Sequence, residues 1–221
     1  MTLPTLSLIE TRVLGVLVEK QHTVPDTYPL TLLALTAGCN QKTSRDPVVN
    51  ATEAEVQAVI DHLKALTLVV ESSGGRVMRY AQNVGRVLAI PAQAVALVAV
   101  LMLRGPQTVG ELRINCDRLH RFADTSAVEA FLHELPARQE GPLVVLLPRQ
   151  PGEREARWAH LLSGAPSMSA PVQRGASEIA NDTPASSIAA LEARIAYLAD
   201  EVEALKATVA KLSAALGESA R

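Results

Sequence analysis

The chain has 221 residues, of which 48% are hydrophobic and 3% aromatic, and its formal net charge at pH 7 is −2. This length fits one or two small domains plus an appendage. The balanced charge excludes a strongly basic body, and two cysteines exclude a disulfide framework. We recognise neither a signal peptide nor an apolar run long enough for a membrane span, so we expect a cytoplasmic protein.

Two helices open the chain. Ser7 and Glu10 have the spacing of a capping box, in which each side chain accepts a hydrogen bond from the other residue's amide. They predict a helix over 7–21. A second helix is predicted over 29–37, with Gly38 as its left-handed end.

A third helix and a hairpin complete the first unit. Thr52 and Glu55 form a second capping box, followed by apolar residues at helical spacing. The alternating stretches on both sides of Gly74 and Gly75 predict a β-hairpin. Three helices closed by a hairpin, or wing, predict a first winged-helix domain over residues 1–86.

The next segment repeats this order. Pro91 opens an apolar helix, a second helix starts near Thr108, and a third follows Asp124. The run LVVLLP and a later stretch containing the single tryptophan predict another hairpin. We therefore predict a second winged-helix domain over 87–164, produced by internal duplication with a shorter loop. The fold class is mainly α with small β-hairpins (α+β).

A Ser-, Ala-, Gly- and Pro-rich stretch predicts a flexible linker over 165–183. The following segment, 184–217, has apolar residues at alternating spacings of three and four, which indicates a coiled-coil seam and hence a homodimer. The alternative is an amphipathic helix that packs on its own chain. The seam residues are Ile188, Leu191, Ile195, Leu198, Val202, Leu205, Val209, Leu212 and Leu216.

Three stretches carry a family resemblance: YPLTLLALTAGCNQKTSRDPV, GELRINCDRLHRFAD and LPRQPGEREARWAHLLSG. They resemble the YceH-like family of uncharacterised bacterial proteins, and the resemblance covers roughly residues 5–164. It implies a tandem winged-helix fold. It implies no reaction, ligand or partner, so no functional residues can be transferred from it.

DNA binding is the first functional hypothesis. A winged helix commonly places its third helix in the major groove, where Gln57 and Lys64 are suitable contacts. However, Glu53, Glu55 and Asp61 on the same helix would repel phosphates. We therefore predict phosphate contacts through loops and wings instead. The candidate nucleic-acid-binding residues are Lys42, Arg45, Arg76, Arg79, Arg149 and Arg154.

The loop NQKTSRDPV has a local alternative. Asp46 before Pro47 favours a turn, in which Arg45 or Lys42 pairs with a nearby carboxylate. We favour this interpretation over a ligand loop.

Cys116, Asp117 and His120 form the only cluster that suggests catalysis or metal binding. Further ligands or an oxyanion hole are not recognisable, so a buried cysteine is the preferred interpretation. Trp158 is likewise expected to be buried.

We predict no enzyme, no catalytic or metal site and no cofactor. The leading function is a DNA-associated or regulatory factor, and the alternative is a protein-interaction scaffold that does not bind DNA.

Overall fold

The computed structural model describes residues 4–73 and 77–166. This part of the chain is helical with two small antiparallel strand pairs, as the sequence predicts at the level of fold class. The predicted coil and nearly all of the predicted linker lie outside the described residues. No helix within the described ranges is long and apolar enough to cross a membrane.

The first half contains three helices and a hairpin. Both predicted capping boxes are present, at Ser7 with Glu10 and at Thr52 with Glu55. Each box satisfies amides that a helix start otherwise leaves unpaired. The elements are α1 (Leu8–Thr23), α2 (Leu32–Cys39), α3 (Glu53–Ala65), β1 (Val69–Ser72) and β2 (Arg79–Gln82).

The predicted bounds of α2 are wrong at both ends. Thr31 caps the helix, so it begins after Pro29, and it continues through Gly38. A Cβ at Gly38 would lie 2.6 Å from Cγ1 of Val16. The glycine therefore permits close packing of α2 on α1, and it does not end the helix.

The second half repeats the order of elements. A short helix that the sequence analysis missed, α4 (Val84–Val87), joins the halves. The remaining elements are α5 (Ala92–Arg104), α6 (Val109–Cys116), α7 (Thr125–Glu134), β3 (Val144–Leu146) and β4 (Trp158–His160). The predicted helix starts at Pro91, Thr108 and Asp124 are the observed N-caps.

The two halves also share an unusual pairing detail. In the first half, Leu30 forms an isolated antiparallel bridge with Tyr80 of β2. In the second half, Gln107 forms the same bridge with Trp158 of β4. In both cases the residue lies two positions before a helix of eight residues that ends at a cysteine. This correspondence supports the predicted internal duplication.

One continuous hydrophobic core extends through both halves. Its centre is the packing of α1 on α5, which are the first helices of the two halves. A Cβ at Gly15 would lie 2.8 Å from Cγ of Leu103 and 3.4 Å from the carbonyl oxygen of Ala99. The absence of a side chain at Gly15 thus lets the two helices approach closely.

Candidate functional site

The outer face of α3 is occupied by contacts within the chain. Gln57 donates to Asp61 over 3.1 Å and accepts from the hydroxyl of Tyr80 over 3.2 Å. Lys64 forms an ion pair with Glu71 of β1. The two side chains best suited to base recognition are therefore engaged, and a DNA duplex would have to displace these contacts.

The start of α3 carries a negative charge. The backbone amide of Thr52 and then its hydroxyl donate to Glu55, and these bonds lower the pKa of the carboxyl group. The carboxylate thus occupies the helix N-terminus, where a phosphate would otherwise be favoured. Docking of α3 in the major groove is disfavoured by this geometry.

Arg45 lies in the α2–α3 loop, residues 40–52, and is buried. Its guanidinium donates to both carboxylate oxygens of Glu19, each over 2.9 Å, and to the carbonyl oxygen of Gly38 over 3.2 Å. The predicted pairing of Arg45 with a carboxylate is thus present, but the carboxylate lies on α1, 26 positions away in the chain. Because the guanidinium has no exposed surface, we withdraw Arg45 from the candidate phosphate contacts.

The pairing with Arg45 also affects the pKa of Glu19. Burial raises the pKa of its carboxyl group, but hydrogen bonds from Arg45 and Lys20 outweigh that effect, and the net pKa is lowered. The carboxylate is therefore ionised at neutral pH and forms a charge-assisted, bidentate pair with Arg45.

Arg12 is a second buried guanidinium, which the sequence analysis did not single out. It is 0% exposed and donates to the carbonyl oxygens of Cys39 over 3.3 Å and of Pro47 over 2.6 Å. It thereby ties the end of α2 to the far end of the α2–α3 loop. The spacing in the sequence indicates this burial, because Arg12 lies four positions before the buried Val16 and therefore on the same face of α1.

The α2–α3 loop also contacts the second half. The amide of Asp46 donates to the carbonyl oxygen of Leu103 over 2.8 Å, and Arg104 donates to the hydroxyl of Ser44 over 2.7 Å. Both partners lie at the end of α5. The loop is therefore held by α1 on one side and by α5 on the other.

The other candidate basic residues have different surroundings. Arg76 lies outside the described residues. Lys42, Arg149 and Arg154 are exposed. Arg79 is exposed too, but one of its nitrogens donates to two backbone carbonyl oxygens just before α2.

The second hairpin presents its arginines on an anchored loop. At the base of the β3–β4 loop, Arg157 pairs with Glu111 over 2.6 Å and with Glu153 over 3.0 Å. Burial lowers the pKa of Arg157, but these partners outweigh that effect and raise it. Arg149 and Arg154 belong to the same loop and are exposed to solvent.

The cysteine cluster has the geometry of core packing. Cys39 and Cys116 are 0% exposed, and burial raises the pKa of each thiol to about 12. The Sγ of Cys116 donates to a backbone carbonyl, while the ring of His120 packs edge-on against Phe122.

Trp158 is buried, as expected. Within the described ranges, no group of three or more His, Cys, Asp and Glu side chains is arranged to hold a metal ion.

Several large apolar side chains are exposed. Three belong to the first hairpin: Val70 is 46% exposed, Val77 58% and Met78 38%. Leu33 on α2 and Ile114 on α6 are also exposed. The first hairpin thus exposes three apolar side chains beside Arg79, and the second exposes Arg149 and Arg154 beside Leu146.

Comparison with known proteins identifies a matching family model and similar bacterial proteins. A family model described as "Protein of unknown function, DUF480" matches residues 6–153. A UPF0502 protein of Dechloromonas aromatica is 57% identical over 210 residues, which cover 95% of this chain and 97% of the relative. UPF0502 proteins of Burkholderia orbicola and Paraburkholderia xenovorans are 57% and 58% identical, each over 96% of this chain and 89% of the relative.

Proposed function

Because this chain belongs to the family described as protein of unknown function DUF480, whose description gives no activity, we propose its function from the geometry. We propose a non-enzymatic protein with two winged-helix domains that associates with DNA by contacting backbone phosphates. The observation that carries this proposal is the contrast between the occupied, acidic face of α3 and the exposed Arg149 and Arg154 on an anchored loop.

The winged-helix interpretation rests on the order of elements. Each half has three main helices followed by an antiparallel strand pair, and each has a bridge to the second strand from the residue two positions before its second helix. In such domains the hairpin commonly contacts DNA beside the helix. Arginine forms bidentate bonds with phosphate oxygens, so a hairpin loop with two exposed arginines suits sequence-independent binding.

The first prediction concerns DNA binding. We expect the full-length protein to bind random duplex DNA in low salt, with an affinity that falls steeply as salt increases. Replacing Arg149 and Arg154 together by glutamine should reduce the slope of log affinity against log salt by about two, because each lost phosphate contact removes about one. Fluorescence anisotropy of a labelled duplex measures both quantities.

Arg121→Gln is the matched control. The Arg121 side chain is 89% exposed and lies outside the β3–β4 loop, so the substitution removes one charge without touching the proposed contact. An unchanged salt slope in the Arg149→Gln/Arg154→Gln variant would contradict the proposal, as would equal losses in the double variant and the control.

The second candidate function is a protein-interaction scaffold. The exposed Val70, Val77 and Met78 on the first hairpin favour it, because a hairpin with several exposed apolar side chains offers apolar surface that a partner protein could cover. Under this alternative the wild-type protein would show no salt-dependent binding to the duplex. The anisotropy experiment therefore separates the two functions.

A homodimer is also part of the proposal. It is supported by the sequence of 184–217, whose apolar seam has β-branched residues at one core position, except at Leu216, and leucine at the other, a combination that favours two parallel strands. Deleting 184–217 should convert a dimer into a monomer of the remaining chain, as measured by light scattering with size-exclusion chromatography. A full-length protein that is already monomeric would show that this helix does not associate between chains.

A further inference from the structure

Charged side chains concentrate where the α2–α3 loop lies between α1 and α5. Glu19 forms an ion pair with Lys20 over 2.9 Å and a bidentate pair with Arg45. Arg45 also interacts electrostatically with the guanidiniums of Arg12 and Arg104. The junction cluster consists of Arg12, Glu19, Lys20, Arg45, Asp46 and Arg104.

Positive charge exceeds negative charge in the junction cluster. Four cations (Arg12, Lys20, Arg45 and Arg104) face two carboxylates, which leaves an excess of two positive charges. Arg12 is buried and donates hydrogen bonds to two carbonyl oxygens. Like charges in a partly buried region are costly unless an anion balances them.

Two of these cations are accessible from solvent. The Lys20 side chain is 23% exposed and also contacts Gln41 of the loop. Arg104 is half-buried and donates one of its five N–H groups to Ser44. The hydroxyl of Ser44 accepts that bond, so its own proton is available to a further acceptor.

We propose that this junction binds a phosphate group, held by Arg104, Lys20 and the hydroxyl of Ser44. A phosphate dianion matches the excess of two charges, a backbone phosphodiester balances one of them, and a guanidinium presents paired donors to two phosphate oxygens. The site does not use the arginines of the β3–β4 loop, so it is independent of the proposed DNA contact. Its ligand is either a free phosphate-bearing small molecule or a backbone phosphate of a nucleic acid.

Burial explains why this location favours an anion. It is the largest cause of the lowered pKa of Arg12 and of Arg104. The charge of Arg45 lowers both further, while Asp46 raises the pKa of Arg12 and Glu19 raises that of Arg104. Each guanidinium nevertheless stays protonated, since arginine does not lose its proton in proteins. Bound phosphate would add a counter-charge beside these partly desolvated guanidiniums.

Titration calorimetry with inorganic phosphate tests the site in the full-length protein, with sodium chloride adjusted to hold the ionic strength constant. We expect one saturable site with a dissociation constant on the order of 1 mM. Arg104→Gln should weaken binding about tenfold, as for the loss of a charged hydrogen-bond donor. Ser44→Ala should weaken it about fivefold, and Arg121→Gln should leave it unchanged.

Circular dichroism checks that each variant is folded. If Arg104→Gln does not fold, Ser44→Ala and Lys20→Gln carry the test. No saturable heat with wild-type protein would overturn the proposal, and so would equal affinities in wild-type protein and in the folded junction variants.

A competition experiment identifies the source of the phosphate. If duplex DNA displaces inorganic phosphate in a manner that depends on Arg104, the ligand is a nucleic-acid backbone. If phosphate binds and the duplex does not displace it, the ligand is a small phosphate-bearing molecule. Because the anisotropy variants lie in the β3–β4 loop, failure of the DNA proposal is distinguishable from failure of this site.

Discussion

Replacing Arg45 by alanine should lower the free energy of unfolding by about 3 kcal/mol, the low end of the range for breaking a buried ion pair. The substitution removes two 2.9 Å bonds to Glu19 and two 3.2 Å bonds to the carbonyl oxygen of Gly38. Glu19 keeps Lys20 as a partner and its side chain is 16% exposed, which is why the low end applies. For a chain of this size the melting temperature should fall by roughly 6 to 12 °C.

Urea unfolding followed by circular dichroism measures this loss. Lys42→Ala, at an exposed position of the same loop, is the control and should change the free energy of unfolding by less than about 0.5 kcal/mol. Replacing both partners, with Glu19→Leu and Arg45→Met together, should recover part of the stability because neither charge is then buried alone. A double variant as unstable as Arg45→Ala would show that the unpaired carboxylate is not the cause.

The same substitution at two glycines should have opposite effects. Gly15→Ala places a Cβ 2.8 and 2.9 Å from two carbons of Leu103, which is buried in the core. Overpacking of this kind costs about 1–3 kcal/mol, against a gain in helix propensity of up to about 1 kcal/mol. We expect a net loss of about 1–2 kcal/mol.

Gly110→Ala in α6 is the matched control. Apart from its chain neighbours and the backbone of its own helix, the nearest described atom to its added Cβ would be the hydroxyl oxygen of Thr108, at 4.0 Å. The gain in helix propensity should therefore dominate, and the free energy of unfolding should rise by up to about 1 kcal/mol. Equal effects at Gly15 and Gly110 in urea unfolding would argue against the close packing of α1 on α5.

Features with a local cause were predictable from the sequence. The capping boxes at Ser7 and Thr52, and the helix start at Thr108, are determined by side chains that bond to amides within one turn. The position of the first hairpin followed from alternating apolar residues, and that of the second from the apolar run LVVLLP and the later stretch containing Trp158. These signals lie within a few residues of the element that they define.

Features with a distant cause were not predictable in this way. Gly38 has the sequence signature of a helix end, but its role depends on Val16, which lies in another helix. Arg45 lies in a polar stretch typical of a surface loop. It is nevertheless buried, because it pairs with Glu19, which lies 26 positions away in the chain. Of the predicted phosphate contacts that the structure describes, Arg45 alone is buried, while Lys42, Arg79, Arg149 and Arg154 have the exposure that was expected.

The packing of α1 against α5 has a consequence for hydrogen exchange. Amides in the centres of these two helices are protected by the same core, so they should open together, in the slowest-exchanging unit of the described chain. The edge strands β1 and β3 bury less apolar surface and should exchange through smaller local openings. Two halves that repeat one pattern would then behave as a single cooperative folding unit.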